Sequence, residues 1–312
     1  MAKWTADDIP YQSGRTVLVT GANSGLGLHT ARALVARGAR VLMACRSPER
    51  GDAAVQETNE EAAGGGTAEL VVLDLSDLAS VHSAASDVRA RTGDALDVLV
   101  NNAGVMATPH LTTKDGFELQ LGTNHLGHAA LTWLLMPALR QRPGARVVTV
   151  SSTLHNRGGL DVTDLNFERR RYDAWASYAQ SKTANLLFAF ELDRRARAAG
   201  LDLLSLAAHP GLSDTELMGN MMRSRGAGLV STVVDKAVGL VSQPAQRGTL
   251  PQLYAATAPG VDGGQFWGPD GFQQLRGNPK PVRASRQASD PGTAARVWEL
   301  TAELTGVTPD PA

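Results

Sequence analysis

Short aliphatic runs alternate along the chain with longer stretches of helical period. The runs RTVLVT (15–20), RVLMAC (40–45), AELVVL (68–73), LDVLVN (96–101), ARVVTV (145–150), LDLLSLAA (201–208) and GQFW (264–267) predict strands. Helical spacing predicts helices near 25–37, 48–62, 77–92, 115–140, 174–199 and 243–257, with a further short one in TAARVWELTAEL. The strand runs are apolar on both faces instead of alternating, as in a sheet covered on both sides. Repeated β-then-α order with such strands predicts an α/β fold, a doubly wound parallel sheet of about seven strands with helices on both faces. Gly64–Gly66 and PGVDGG (259–264) read as loops. No repeat or interdomain linker interrupts the pattern, so one domain over 1–312 is expected. It carries a polar insert near 153–173 and an extension over 270–312.

Composition narrows the function. The chain has 312 residues, 43% hydrophobic and 20% charged, which suits a packed globular protein. A formal net charge of −1 supplies no field to recruit nucleic acid or an anionic membrane. One cysteine, Cys45, cannot form an intrachain disulfide. No signal peptide is read at the start, and no apolar run reaches the roughly 18 residues of a membrane span. A cytoplasmic location is the expectation. No His/Cys/Asp grouping has metal-ligand spacing, so no metal is expected. The charge runs ERRR (168–171) and Arg283 with Arg286 read as solvated surface.

Candidate chemistry begins where strand one meets helix one, at VLVTGANSGLG. Gly21, Gly25 and Gly27, with Asn23, Ser24 and Leu26 between them, form a turn whose N–H groups can approach a pyrophosphate. Strand two then bears on which dinucleotide binds. An acid at its end would hold the ribose 2′-hydroxyl of NAD, but here LMACRSPER offers no carboxylate and places Arg46 just past the strand. A guanidinium pairs well with a 2′-phosphate, so NADP(H) is expected. Arg46 as plain surface is the alternative. Asp74, with Leu75 beside it, suits an adenine amino group; a turn or cap before SDLASV explains Asp74 as well. At the end of strand four lies NNAG, where Asn101, Ala103 and Gly104 are read as cofactor contacts.

YAQSK (178–182) puts Tyr178 and Lys182 on one helical face. That spacing is common by chance. The ordered set TGxxxGxG, NNAG, a serine ending strand five, YxxxK and PG resembles the short-chain dehydrogenase/reductase superfamily. TNHLGH (123–128), ACR and SYAQSKTANLLF resemble its retinol dehydrogenase-like branch. The resemblance runs from about 14 to 215 and implies a Rossmann-type fold. It further implies a catalytic tetrad of Asn124, Ser152, Tyr178 and Lys182, with Ser151 the alternative to Ser152. Tyr178 would exchange the proton with an alkoxide, and Ser152 would steady the same oxygen. Lys182 would hold the nicotinamide ribose, and Asn124 would position a relay water. Lys182 and an oxidised nicotinamide should lower the Tyr178 pKa by a few units. Tyr178 and Lys182 thus count among the cofactor contacts, as do Pro210, Gly211, Leu212 and Thr215 of HPGLSDT. Leu212 replaces a usual valine, and the 25 residues (153–177) between Ser152 and Tyr178, about twice the spacing of compact members, resemble the long spacings of the retinol dehydrogenase-like branch.

The implied activity is NADP(H)-dependent transfer of hydride between the nicotinamide and a carbonyl or alcohol. The interval 213–242 resembles a lid, and its Met218, Met221 and Met222 suit an adaptable apolar surface, so a lipophilic substrate is expected. LLFAFEL (186–192) could serve a core or a subunit contact, leaving a homo-oligomer open. Two rival readings are a non-catalytic NADP sensor on the same fold and a double-bond reductase; the latter would want a cysteine near the substrate. His125 and His128 read as structural. His155 lies close enough to Ser152 to suggest a hydrolase, but no G-x-S-x-G elbow is present.

Overall fold

The structure, a computed structural model, describes residues 3–62, 64–157, 159–214 and 243–311. Alternation of β1 (Thr16–Thr20), α1 (Gly25–Ala36), β2 (Arg40–Cys45), α2 (Pro48–Glu60), β3 (Thr67–Val72) and α3 (Leu78–Thr92) builds the first half. The second half holds β4 (Val98–Asn101), α4 (Leu119–Leu121), α5 (Gly127–Arg140), β5 (Ala145–Val150), α6 (Ala174–Ala198) and β6 (Leu203–Ala208). Then come β7 (Ser213–Asp214), β8 (Gln243–Pro244), α7 (Ala245–Gly248), α8 (Leu250–Thr257), β9 (Phe266–Pro269), β10 (Pro279–Pro281) and α9 (Pro291–Thr305).

The main sheet runs β10-β9-β6-β5-β4-β1-β2-β3, with β10 antiparallel to β9 and every other pair parallel. Eight strands thus stand where about seven were expected. The eighth is PKP, which carries no apolar run to announce it. Strand order reverses between β1 and β4, which opens a crevice at the carboxyl ends of the strands. Because side chains alternate along a strand, Val17 and Val19 join α1 and α8 in one core, whereas Leu18 joins α3 and α5 in the other. Both faces are therefore covered.

The expected helix over 115–140 is broken. Glu118 caps α4 by accepting from the N–H groups of Gln120 and Leu121 at 3.0 and 2.7 Å. A π-helical turn, Gly122–Leu126, then precedes α5. Hydrophobic periodicity offers no phase to follow here, because Gly122, Asn124, His125, Leu126 and Gly127 are all buried. LLFAFEL is core: Leu186, Leu187, Phe188 and Leu192 are buried within the chain. Over it lies α9, whose Trp298 stacks on Phe188 at 5.2 Å and meets Trp133 edge-on at 4.9 Å. The insert folds around Asp164, whose carboxylate accepts from the N–H groups of Glu168 and Arg170 and pairs with the Arg170 guanidinium at 3.0 Å. Arg170 of the ERRR run is therefore half-buried structure, not solvated surface. No helix among the described residues is long and apolar enough to cross a membrane.

Candidate active site

A cleft of about 1290 Å³ fills the crevice, larger than a single small-molecule pocket and roomy enough for a dinucleotide with a substrate. Its first wall is backbone. Gly21 has φ +66°, and a Cβ there would come within 3.0 Å of Ala103. A Cβ on Gly27 would lie 2.2 Å from the Gly21 carbonyl oxygen, so only glycine lets α1 start this close to β1. Ser24 precedes α1 without a side-chain capping bond, which leaves the first-turn N–H groups directed at the cleft. Asn23, Leu26, Arg46, Arg50, Asp74 and Leu75 continue this wall. Arg46 is exposed, and no carboxylate ends β2. The residues fit a dinucleotide.

Two expected contacts need restating. Asp74 is engaged locally, its Oδ1 accepting from Ser76 N–H at 2.9 Å and Ser76 Oγ at 2.6 Å, so the turn reading holds while the residue still borders the cleft. Asn101 is not brought to the cleft at all. Its side chain is buried and donates to Thr132 Oγ1 at 3.0 Å. Strand alternation turns the next residue outward instead, and Asn102 lines the cleft with its amide tied to the Thr20 carbonyl at 2.9 Å. The period-2 rule applied to NNAG could have found it. Thr215 and the lid methionines lie outside the described residues.

At the other end the groups are buried side chains. Tyr178 and Lys182 sit on one face of α6 and both reach the cleft, with Lys182 Nζ 5.7 Å from the Tyr178 ring centre. Ser152 lies two residues past β5, accepts from Leu154 N–H at 3.2 Å, and faces the Tyr178 hydroxyl, whose ionisation it favours. Ser151 is occupied elsewhere, donating to the Lys182 carbonyl at 2.8 Å. Lys182 Nζ donates to the Val150 carbonyl at 3.1 Å, which leaves two of its three protons for a ligand. Asn124 is carried by the π turn. Its Oδ1 accepts from Val105 N–H at 2.8 Å, and its Nδ2 donates to Val105 O at 2.9 Å and Ser181 Oγ at 3.0 Å. Both amide protons are therefore used within the protein. Gly104, Pro210, Gly211 and Leu212 complete this end. The Gly211–Leu212 turn is held by the extension: Leu212 N–H donates to Leu275 O at 2.8 Å, and Gln273 and Leu275 line the cleft. No sequence signal marked that loop.

Burial works against the expected lowering of the Tyr178 pKa. Full burial pushes the phenol up to about 12, only partly countered by Ser152, while burial pulls Lys182 down to about 8. Removing a phenolate from water outweighs what the Ser152 side chain returns. The phenol is thus protonated across the ordinary pH range. His155 forms no triad: its Nδ1 pairs with the backbone carbonyl of Ser152 at 2.6 Å, not with the hydroxyl. Cys45 is buried near Ala22 and Asn23 and does not line the cleft.

The short chain dehydrogenase family model matches residues 15–226. Human retinol dehydrogenase 13 is 38% identical over 94% of this chain and 85% of its own length. Mouse polyprenol dehydrogenase is 41% identical over 96% of this chain and 86% of its own. Among solved structures, a putative uncharacterized protein from Mycobacterium paratuberculosis superposes with a TM-score of 0.80 at 45% identity, covering 98% of both chains. These matches make the protein a nicotinamide-dependent oxidoreductase acting on CH–OH donors or their carbonyl products. The chain belongs to the short-chain dehydrogenase/reductase superfamily, in its retinol dehydrogenase-like branch.

Proposed function

We propose that the protein is an NADP(H)-dependent reductase of lipophilic carbonyl compounds, acting in reverse on the matching alcohols. The observation that carries this reading is the pairing of ends in one cleft. Arg46 and Arg50 stand beyond a strand with no terminal acid, and the protonated Tyr178 stands beside Ser152 at the far end.

When bound, the nicotinamide supplies or accepts the hydride. The chain's own residues do the rest. The α1 N-terminus and the Gly21–Gly27 turn would hold the pyrophosphate, and Arg46 would pair with the 2′-phosphate. Lys182 would donate to the ribose hydroxyls while Val150 O fixes its third proton. Tyr178 gives its proton to the carbonyl oxygen as charge builds there, and Ser152 hydrogen-bonds that same oxygen. Lys182, charged below its pKa of about 8, favours the phenolate left behind. Met106, Leu154, Trp175, Leu212 and Leu275 would offer contacts to an apolar chain, beside the polar Asn156, Arg157 and Asp173 of the same lining. Two of the relatives are named for retinol and polyprenol, both apolar alcohols.

The deciding experiment is turnover of a mixed panel of aldehydes, ketones and alcohols with each cofactor. NADPH oxidation by apolar aldehydes, well above that of NADH, is expected. Tight NADPH binding with no turnover of any panel member would make the protein a nucleotide sensor instead.

A further inference from the structure

His128 lies one α-helical turn beyond Asn124 and touches neither the cleft nor solvent. Its Nδ1 is 3.0 Å from the main-chain oxygen of Asn124, and its Nε2 is 2.8 Å from Thr20 Oγ1. Thr20 Oγ1 in turn accepts from the N–H groups of Asn102 and Ala103, both at 2.9 Å. A hydroxyl oxygen has two lone pairs and one proton. Both lone pairs are taken, so the Thr20 proton must point away from them. His128 Nε2 at 2.8 Å is a nearer acceptor than Val100 O at 3.3 Å.

This settles the tautomer. A proton on Nε2 would aim a third N–H at one oxygen, and it would leave the bare Nδ1 facing a carbonyl. An imidazolium would repeat the first fault. The proton is therefore on Nδ1, donated to Asn124 O. The surroundings agree: burial pulls the His128 pKa down to about 3, and Lys182 and His125 add to the shift.

We propose that His128 is a positioning residue, locked as the Nδ1–H tautomer, whose two hydrogen bonds join the π turn bearing Asn124 to the Asn102–Ala103 turn that walls the cleft. The segment 102–105 is then held to that π turn from both ends, by Thr20 and His128 at one and by the Asn124 side chain on Val105 at the other. Between these ties sits Gly104, where a Cβ would be 3.0 Å from Asn124 Oδ1 and 3.5 Å from Lys182 Nζ. A slack wall would therefore move against the lysine. The functional half of this inference rests on the dinucleotide reading of the cleft; the tautomer does not.

Nitrogen-15 NMR of the intact protein with labelled histidine tests the tautomer, the His128 ring being assigned through its proximity to the Thr20 methyl group. A single proton on Nδ1, unchanged between about pH 5 and 9 where an ordinary histidine titrates, is expected. A proton on Nε2, or titration in that range, overturns the proposal. Kinetics of folded enzyme tests the positioning. His128→Phe should lower kcat about tenfold, the worth of one hydrogen bond. His128→Gln, whose amide oxygen can accept from Thr20 at the Nε2 position, should recover most of it. If both variants melt earlier yet keep full kcat, His128 is merely structural and the positioning role is wrong. Should His128→Phe not fold, kcat of His128→Gln and the tautomer decide the matter.

Discussion

The two ends of the cleft are made of different materials. At the phosphate end, glycines and helix N–H groups form the wall, with an exposed arginine beyond them. The reaction end instead uses side chains that are buried and hydrogen-bonded from several directions: Asn124 through Val105 and Ser181, Lys182 through Val150, and Ser151 through the Lys182 carbonyl. A backbone wall recognises the shape and charge shared by all dinucleotides. Chemistry at one oxygen atom needs side chains whose rotamers cannot drift. The two ends should therefore fail separately.

Gly27→Val should give the largest loss at the phosphate end. Its Cβ would overlap the Gly21 carbonyl oxygen, and forcing the strand–helix junction apart costs about 1–3 kcal/mol. Cofactor affinity should fall about tenfold to a hundredfold, read by fluorescence titration. Normal affinity would show that the turn does not hold the pyrophosphate. Arg46→Asp should be more selective, weakening NADPH about tenfold relative to NADH, since one charged hydrogen bond is worth about 1.5–3 kcal/mol. Equal affinities in the unaltered protein would remove Arg46 from the 2′-phosphate.

A pH profile probes the reaction end alone. Lys182 is charged below about pH 8 and neutral above it, whereas the Tyr178 proton stays in place to about pH 12. Carbonyl reduction, followed as kcat/KM, should be flat on the acid side of pH 8 and decline above it as the lysine loses its charge. Alcohol oxidation, which needs a base, should rise with pH. A reduction profile still flat at pH 10 would mean that the lysine charge does not assist Tyr178. The smallest effect concerns the substrate. Each CH₂ buried contributes about 0.8 kcal/mol, at most about fourfold, so kcat/KM should climb along straight-chain aldehydes from about four to ten carbons. A flat series, or preference for charged sugars, would reject the lipophilic pocket and leave the reductase standing.

The same contrast explains what was legible in the sequence. β2 and β5 fall on the residues expected from their aliphatic runs, and the glycine turn was readable because its geometry is local. Tyr178 and Lys182 were readable as a face because α6 is regular over their span. The π turn was not, since no residue pattern distinguishes it. Asn101 was misplaced by treating NNAG as a unit, when alternation assigns its two asparagines to opposite sides of the sheet. The burial that opposes a lowered Tyr178 pKa was not legible, being a property of the folded chain: Lys182 is visible in the sequence, but the loss of water around the phenol is not. The loop at Gln273 and Leu275 reaches the cleft only because β10 turns the extension back along β9.

The central claim is that Tyr178 delivers the proton at one end of a cleft that binds the cofactor at the other. Tyr178→Phe tests it most directly, with NADPH affinity and aldehyde turnover measured on one preparation. Nearly normal affinity is expected, with turnover reduced by about two to four orders of magnitude. Turnover at a tenth or more of the unaltered rate would contradict it and assign the proton to another group.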